Sequence, residues 1–98
     1  MNDIRFLWDP AKNRVNAKKH GVDFEEARTV FFDPNAIQYL DPDHSEEEER
    51  FILLGLSARR NVLIVCHCYR EKDSLIRIIS ARKADKTEKE NYRRLDQL

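Results

Sequence analysis

Three apolar runs, at residues 50–56, 62–69 and 75–81, are separated by polar segments of only five residues each, 57–61 and 70–74. Parallel strands need a crossover of a dozen residues or more, so connections this short leave only antiparallel hairpins. A three-stranded meander therefore frames the C-terminal half of the chain. The runs are rich in Ile, Val, Leu and aromatic residues, which pack well on a pleated surface. Whatever else folds must cover this meander.

The flanking segments supply that cover. Residues 4–8 read as a short first strand, and Asp9-Pro10 then gives an N-cap followed by proline at the first helical position. That helix runs to about His20, where Gly21 can take the left-handed C′ conformation. Asp23-Phe24-Glu25-Glu26 has the form of a capping box, with Glu26 reaching back to the cap. Phe24, Ala27, Val30 and Phe31 form the apolar stripe of this second helix, which Asp33-Pro34 ends. Residues 36–40 read as a further strand. Thr87-x-x-Glu90 or Asp85-x-x-Glu88 caps a last helix, with Tyr92 and Leu95 facing inward. The expectation is one α+β domain over residues 1–98, with an antiparallel-rich sheet of about four to five strands. Two helices precede the meander and one follows it.

The formal charge is zero, but the distribution is uneven. Residues 41–49 hold six acids and no Lys or Arg, leaving twelve acids against eighteen bases elsewhere. A basic surface beside an acidic loop follows from that asymmetry. No N-terminal apolar stretch resembles a signal peptide, and no apolar run is long enough to span a bilayer, so no membrane role is expected. Cys66 and Cys68 sit one residue apart inside an apolar run, which is no disulfide framework. These features fit a reduced, cytoplasmic protein.

Arg77 interrupts the last apolar run and Arg82 closes it. A guanidinium in a strand needs a partner, either a carboxylate of the protein or a phosphate from outside. Pairing Tyr69 with Leu75 and His67 with Arg77 puts His67, Tyr69 and Arg77 on one sheet face. Val62, Ile64, Cys66, Cys68, Ile76 and Ile78 then form the other, uniformly soft face. Parity places Arg82 on the soft face unless the strand bulges near Ser80. Arg59, Arg60 and Arg70 are expected at the sheet ends beside the polar face.

Strand alternation sends both sulfurs of Cys66-His67-Cys68 to one face and the imidazole to the other, which opposes a metal site. The cysteines read as small core residues. With Gly21 and Gly55 the only glycines, no phosphate-binding glycine loop can form, and no cofactor is expected. In the first helix, Lys12, Asn16 and Lys19, with Asn13 and His20, line up at helical spacing, either as an exposed stripe or as a ligand face.

In order along the chain stand Phe6-x-Trp8-Asp9-x-x-Lys12-x-x-x-Asn16-x-x-Lys19-His20-Gly21-Val22-x-Phe24-x-x-Ala27, then Arg50-x-x-x-x-Gly55-x-Ser57 and His67-x-Tyr69-Arg70. They are followed by Ile76-Arg77-Ile78-Ile79-Ser80-Ala81-Arg82-Lys83-Ala84, Glu88 and Tyr92. This ordered set resembles the BrnT family, the toxin half of a type II toxin–antitoxin system. The resemblance implies a RelE-like fold and an endoribonuclease that inhibits translation. It also implies neutralisation by a small ribbon–helix–helix antitoxin that binds operator DNA. The acidic stretch at 41–49 departs most from the family pattern.

Cleaving RNA without a metal needs a proton acceptor for the 2′-hydroxyl, a proton donor for the leaving 5′-oxygen, and cations for the phosphorane. His67 or His20 can move protons near neutral pH. Arg77 and Arg82 can hold phosphate oxygens, with Lys19 as a further cation. Tyr69 can orient phosphate or stack on a base. Arg59, Arg60, Arg70 and Lys83 complete the expected RNA-binding surface. The competing reading is a non-catalytic RNA-binding or regulatory module using the same basic residues.

Overall fold

The computed structural model describes residues 4–44 and 48–96; the side chains of His44, Leu95 and Asp96 lie outside that description, and with them the expected inward position of Leu95. The elements are β1 (Arg5–Leu7), α1 (Pro10–His20), α2 (Phe24–Thr29), β2 (Ile37–Leu40), β3 (Phe51–Leu56), β4 (Val62–Arg70), β5 (Leu75–Lys83) and α3 (Lys86–Asp96). Short 3₁₀ turns at Val30–Phe32 and Pro42–His44 follow α2 and β2. One sheet of five strands has the order β1-β5-β4-β3-β2. The meander β3–β4–β5 is antiparallel as expected, β2 adds antiparallel to β3, and β1 lies parallel to β5.

The caps form largely where the sequence places them. Asp9 accepts from the Ala11 N–H at 2.8 Å, and Gly21 takes φ 70° with its N–H bonded to the Ala17 carbonyl. Asp23 caps α2 through the Glu26 N–H at 2.8 Å. Glu26 does not reach back. It is buried and accepts from Ser57 Oγ at 2.7 Å and Asn61 Nδ2 at 2.8 Å, tying α2 to the β3–β4 turn. Of the two boxes considered for α3, Asp85 and Glu88 form it reciprocally: the Glu88 N–H donates to Asp85 and the Asp85 N–H to Glu88.

Two cores flank the sheet. Val22, Phe24, Ala27 and Val30 from the α1–α2 layer pack on Leu53, Leu63, Val65, Ile78 and Ala81. On the opposite face Leu54 and Ile64 meet Ala84 and Tyr92 of the α3 region. Gly55 lets the α1–α2 layer close on the sheet: a Cβ there would stand 2.7 Å from Val30 Cγ1 and 2.9 Å from the Ala36 methyl.

The register of the last hairpin differs from the expected one. Tyr69 faces Ile76, Cys68 faces Arg77 and His67 faces Ile78. His67 and Tyr69 therefore share the helix-covered side with Ile76 and Ile78, while Arg77 lies with Cys66 and Cys68 on the side that α1 and α2 leave open. The physical reason is aromatic burial. His67 is fully buried, 4.7 Å ring to ring from Phe31 and 5.4 Å from Tyr69, a setting an imidazole tolerates and a guanidinium does not.

A β-bulge completes the correction. Cys66 pairs with Ser80 and His67 with Ile78, so Ile79 has no partner on β4. The extra residue resets the alternation, turning Ala81 into the helix-side core and Arg82 out beside Arg77. Arg77 and Arg82 share the open face only because of this bulge.

Candidate functional site: a basic cleft and an arginine face on β5

β5 runs past the end of β1, whose last partner is Arg77. Helix α1 lies along the edge this leaves. Asn16, in the middle of the polar stripe, is buried and stands in for a neighbouring strand. Its Nδ2 donates to the carbonyls of Ala81 and Val22, both at 2.8 Å, and its Oδ1 accepts from the Ala81 N–H at 3.1 Å. Asn13 Oδ1 likewise accepts from the Phe24 N–H. Two of the five stripe residues, Asn13 and Asn16, are thus structural. The other three, Lys12, Lys19 and His20, line a cleft of about 360 Å³ with Asn16, Ala11, Val15 and the bulge residues Ile79 and Ser80.

The open face of the sheet carries two arginine groups. Near the β4–β5 turn, Arg70, Arg77 and Arg50 surround the carboxylate of Glu48. Nearer α3, Arg82 forms a two-pronged pair with Glu88, with N–O distances of 2.7 and 2.9 Å. The paired hydrogen bonds hold the Glu88 carboxyl below its ordinary range and raise Arg82 further above its own. Between the two groups lie Cys66 and its cross-strand partners Ile52 and Ser80, with Tyr39 opposite Ile52. Burial pushes the Cys66 thiol up, away from a reactive thiolate.

His67 sits in a different environment. Its Nδ1 lies 3.1 Å from the Val65 carbonyl and its Nε2 3.0 Å from Gln38 Oε1, which also accepts from the Tyr69 hydroxyl. Burial pushes its pKa down to about 4, and burial raises that of Tyr69. At neutral pH His67 is an uncharged ring with both nitrogens in contact inside the protein. It cannot join Arg77 in one site, as the expected register required.

The basic residues expected at one place are also spread. Arg59 and Arg60 belong to the β3–β4 turn and Arg70 to the opposite end of β4, nine residues long, so roughly 27 Å separates them. Arg59 approaches Asp23 and Glu26 at 3.9 Å on the helix side. Arg60 is exposed with φ 66°, and Lys83 is exposed at the end of β5 across from Leu63. Sequence reasoning assigned no site role to Glu48, Arg50, Gln38 or Ser80. Arg50 and Ser80 carried a signal, since both stand in the ordered motifs; Glu48 was hidden in an acidic run that reads as solvated loop.

A small mixed sheet with cationic side chains gathered on both sides of one strand is the frame on which the comparisons fall. Residues 8–88 place the chain among the ribonuclease toxins of type II toxin–antitoxin systems. Within that class the match is to the family described as "Ribonuclease toxin, BrnT, of type II toxin-antitoxin system", and the chain belongs to it. A solved structure, that of the Brucella abortus ribonuclease toxin BrnT, shares the fold with a TM-score of 0.63 at 21% identity, covering 85% of this chain and 99% of that one. No curated protein matches the chain.

Proposed function

We propose that this chain is a cytoplasmic endoribonuclease toxin that stops translation by cutting RNA, and that the α1–β5 cleft is where the cut occurs. The observation that carries this reading is the convergence of Lys12, Lys19 and His20 on the β5 bulge, within one cleft. His20 and His67 are the histidines whose side chains are described. His20 is half-buried at the end of α1, while His67 is fully buried. His20 is therefore the imidazole that can exchange protons with a substrate.

The chemistry that fits is intramolecular. The 2′-hydroxyl gives up its proton and attacks the adjacent phosphorus; the 5′-oxygen leaves and takes a proton, yielding a 2′,3′-cyclic phosphate and a 5′-hydroxyl. His20 carries a proton in this exchange. The lysine ammonium groups stabilise the charge that builds on the phosphorane oxygens, which lets the reaction proceed without a metal. Arg77 and Arg82, on the open face of the same strand, hold neighbouring backbone phosphates, and Lys83, on the other face at the end of β5, meets RNA on the helix side. Arg59 and Arg60 touch RNA beyond the far end of the sheet. His67 and Tyr69 act through the packing that fixes β4.

A small ribbon–helix–helix antitoxin, which also binds operator DNA, would neutralise the toxin by covering the cleft and the arginines, so it should compete with RNA. The test is purified protein with RNA in EDTA, with product ends identified for wild type, His20→Gln and Lys19→Met. Cyclic phosphate ends from wild type and a loss of about 10²-fold or more in His20→Gln are expected. Cleavage abolished by EDTA and restored by a divalent metal would overturn the mechanism. Full activity in His20→Gln would move the site away from the cleft. RNA binding without any product would leave a binding module in place of an enzyme.

A further inference from the structure

At the β4–β5 end of the open face, three guanidinium groups converge on one carboxylate. Arg70 Nη2 lies 2.9 Å from Glu48 Oε2; Arg77 Nη1 and Arg50 Nε lie 3.5 and 3.6 Å from Oε1. The three come from different places in the chain: the entry to β3, the end of β4 and the start of β5. Asp41, whose N–H donates to the Arg50 carbonyl, is the next acid on this row of the sheet. Glu49 and Asp73 line the space beside Arg70, but the three guanidinium groups close on Glu48 itself.

A single ion pair does not need this arrangement. Three cations gathered around one group repel one another and lose hydration, costs that a partly exposed ion pair offsets poorly. A phosphodiester fits better. Its two non-bridging oxygens accept from several guanidinium forks at once. It also carries the same single charge as the carboxylate, so one can replace the other without changing the charge of the site. All three arginines keep part of their side chains in solvent, and Glu48 is only 30% exposed, turned down onto them.

We propose that Arg50, Arg70 and Arg77 form a phosphodiester-binding subsite for the RNA backbone, and that Glu48 is a tethered internal anion occupying it until RNA displaces it. The proposal rests on the RNA reading above and names one of its phosphate contacts. Glu48 then sets a threshold: RNA gains the arginines only by releasing a carboxylate already in place, so weak, non-specific strands are held less well.

The experiment uses a labelled single-stranded 2′-O-methyl RNA, which binds but cannot be cut through its blocked 2′-position. Its affinity is measured against salt for wild type, Glu48→Gln and Glu49→Gln, and for Glu48→Gln combined with Arg70→Ala/Arg77→Ala. Glu48→Gln should bind about tenfold tighter, with the log–log salt slope steeper by roughly 0.7, one phosphate contact. Glu49→Gln, which changes charge equally at the next position, should gain no more than about twofold. The gain should vanish in the combined variant, and also with Arg70→Lys/Arg77→Lys, which keeps charge but loses the fork. Equal gains from Glu48→Gln and Glu49→Gln, or a gain that survives without the arginines, would overturn the subsite. Cleavage of unmodified RNA by wild type is followed alongside. Cleavage with unchanged Glu48→Gln affinity rejects the subsite alone; neither binding nor cleavage by wild type rejects the RNA reading with it.

Discussion

Replacing Asn16 by alanine isolates the device that joins α1 to the sheet. The wild-type amide makes three hydrogen bonds in a buried position, to the Val22 carbonyl and to both the carbonyl and the N–H of Ala81. Alanine keeps the helix and removes all three, leaving two backbone groups of β5 and one carbonyl of the α1–α2 turn without their partner. At about 1 kcal/mol net for each bond, more where a group stays dry, the loss is about 3 kcal/mol and at most about 5. For a domain of this size that lowers the melting midpoint by roughly 15 °C. Urea unfolding followed by Trp8 fluorescence measures it, since Trp8 packs 6.1 Å from Phe24 on the helix layer. Asn16→Asp sharpens the test. Its carboxylate can accept from the Ala81 N–H but meets two carbonyls where the amide donated, so at pH 7 it should be less stable than Asn16→Ala. Folding raises the pKa of that carboxyl, so the folded state binds more protons and the penalty relative to wild type shrinks as pH falls. A loss below about 1 kcal/mol for Asn16→Ala, or wild-type stability for Asn16→Asp, would show that the strand edge does not depend on this side chain.

Other outcomes follow from the same physics. His67 is held at about 4 in the folded protein against 6.5 in the open chain. Between those values the unfolded chain binds more protons, so stability falls as pH drops from 6.5 towards 4, by about 3 kcal/mol. Urea midpoints across that range should show the slope in wild type and lack it in His67→Phe; parallel curves would contradict the assignment. Gly55→Ala should cost about 1–3 kcal/mol, because its methyl would press on Val30 and Ala36; an unchanged urea midpoint would mean the layer can relax. Cys68→Ser should destabilise by about 1–3 kcal/mol, since Cys68 is 2% exposed. Cys66→Ser should stay within about 1 kcal/mol of wild type, because Asp41 and Ser80 lie within reach of a hydroxyl there; thermal melts of the two variants should separate them.

Much of the local structure was legible in the residues. Asp9-Pro10, Gly21 and Asp23 mark their helix ends correctly, because capping and proline geometry act over three or four residues and need no partner from afar, whereas α2 stops at Thr29 and Asp33 closes only the 3₁₀ turn that follows. The meander was legible for the same reason: loop length alone decides between hairpin and crossover. Glu26 shows where such reasoning stops. A capping box and a buried acid bonded to Ser57 and Asn61 share one sequence signature, and only the arrival of the β3–β4 turn separates them. His67 was misplaced because polarity was weighed without its neighbours. Phe31 and Phe51 come from other elements, and their rings make the helix side the better home for an imidazole.

The sequence by itself determined the elements, their order, the antiparallel meander and the resemblance that names the family. Each of these rests on spacing along the chain, which folding does not change. Which side chains meet was decided only by the tertiary structure. One unpaired residue, Ile79, reverses the parity of everything after it and brings Arg82 onto the face of Arg77. Strand-edge geometry makes Asn16 structural while its helical neighbours Lys12, Lys19 and His20 line a cleft. A loop acid, Glu48, finds three arginines from three segments. Bulges, edges and long-range ion pairs depend on how distant segments pack, and no local pattern in the chain encodes that.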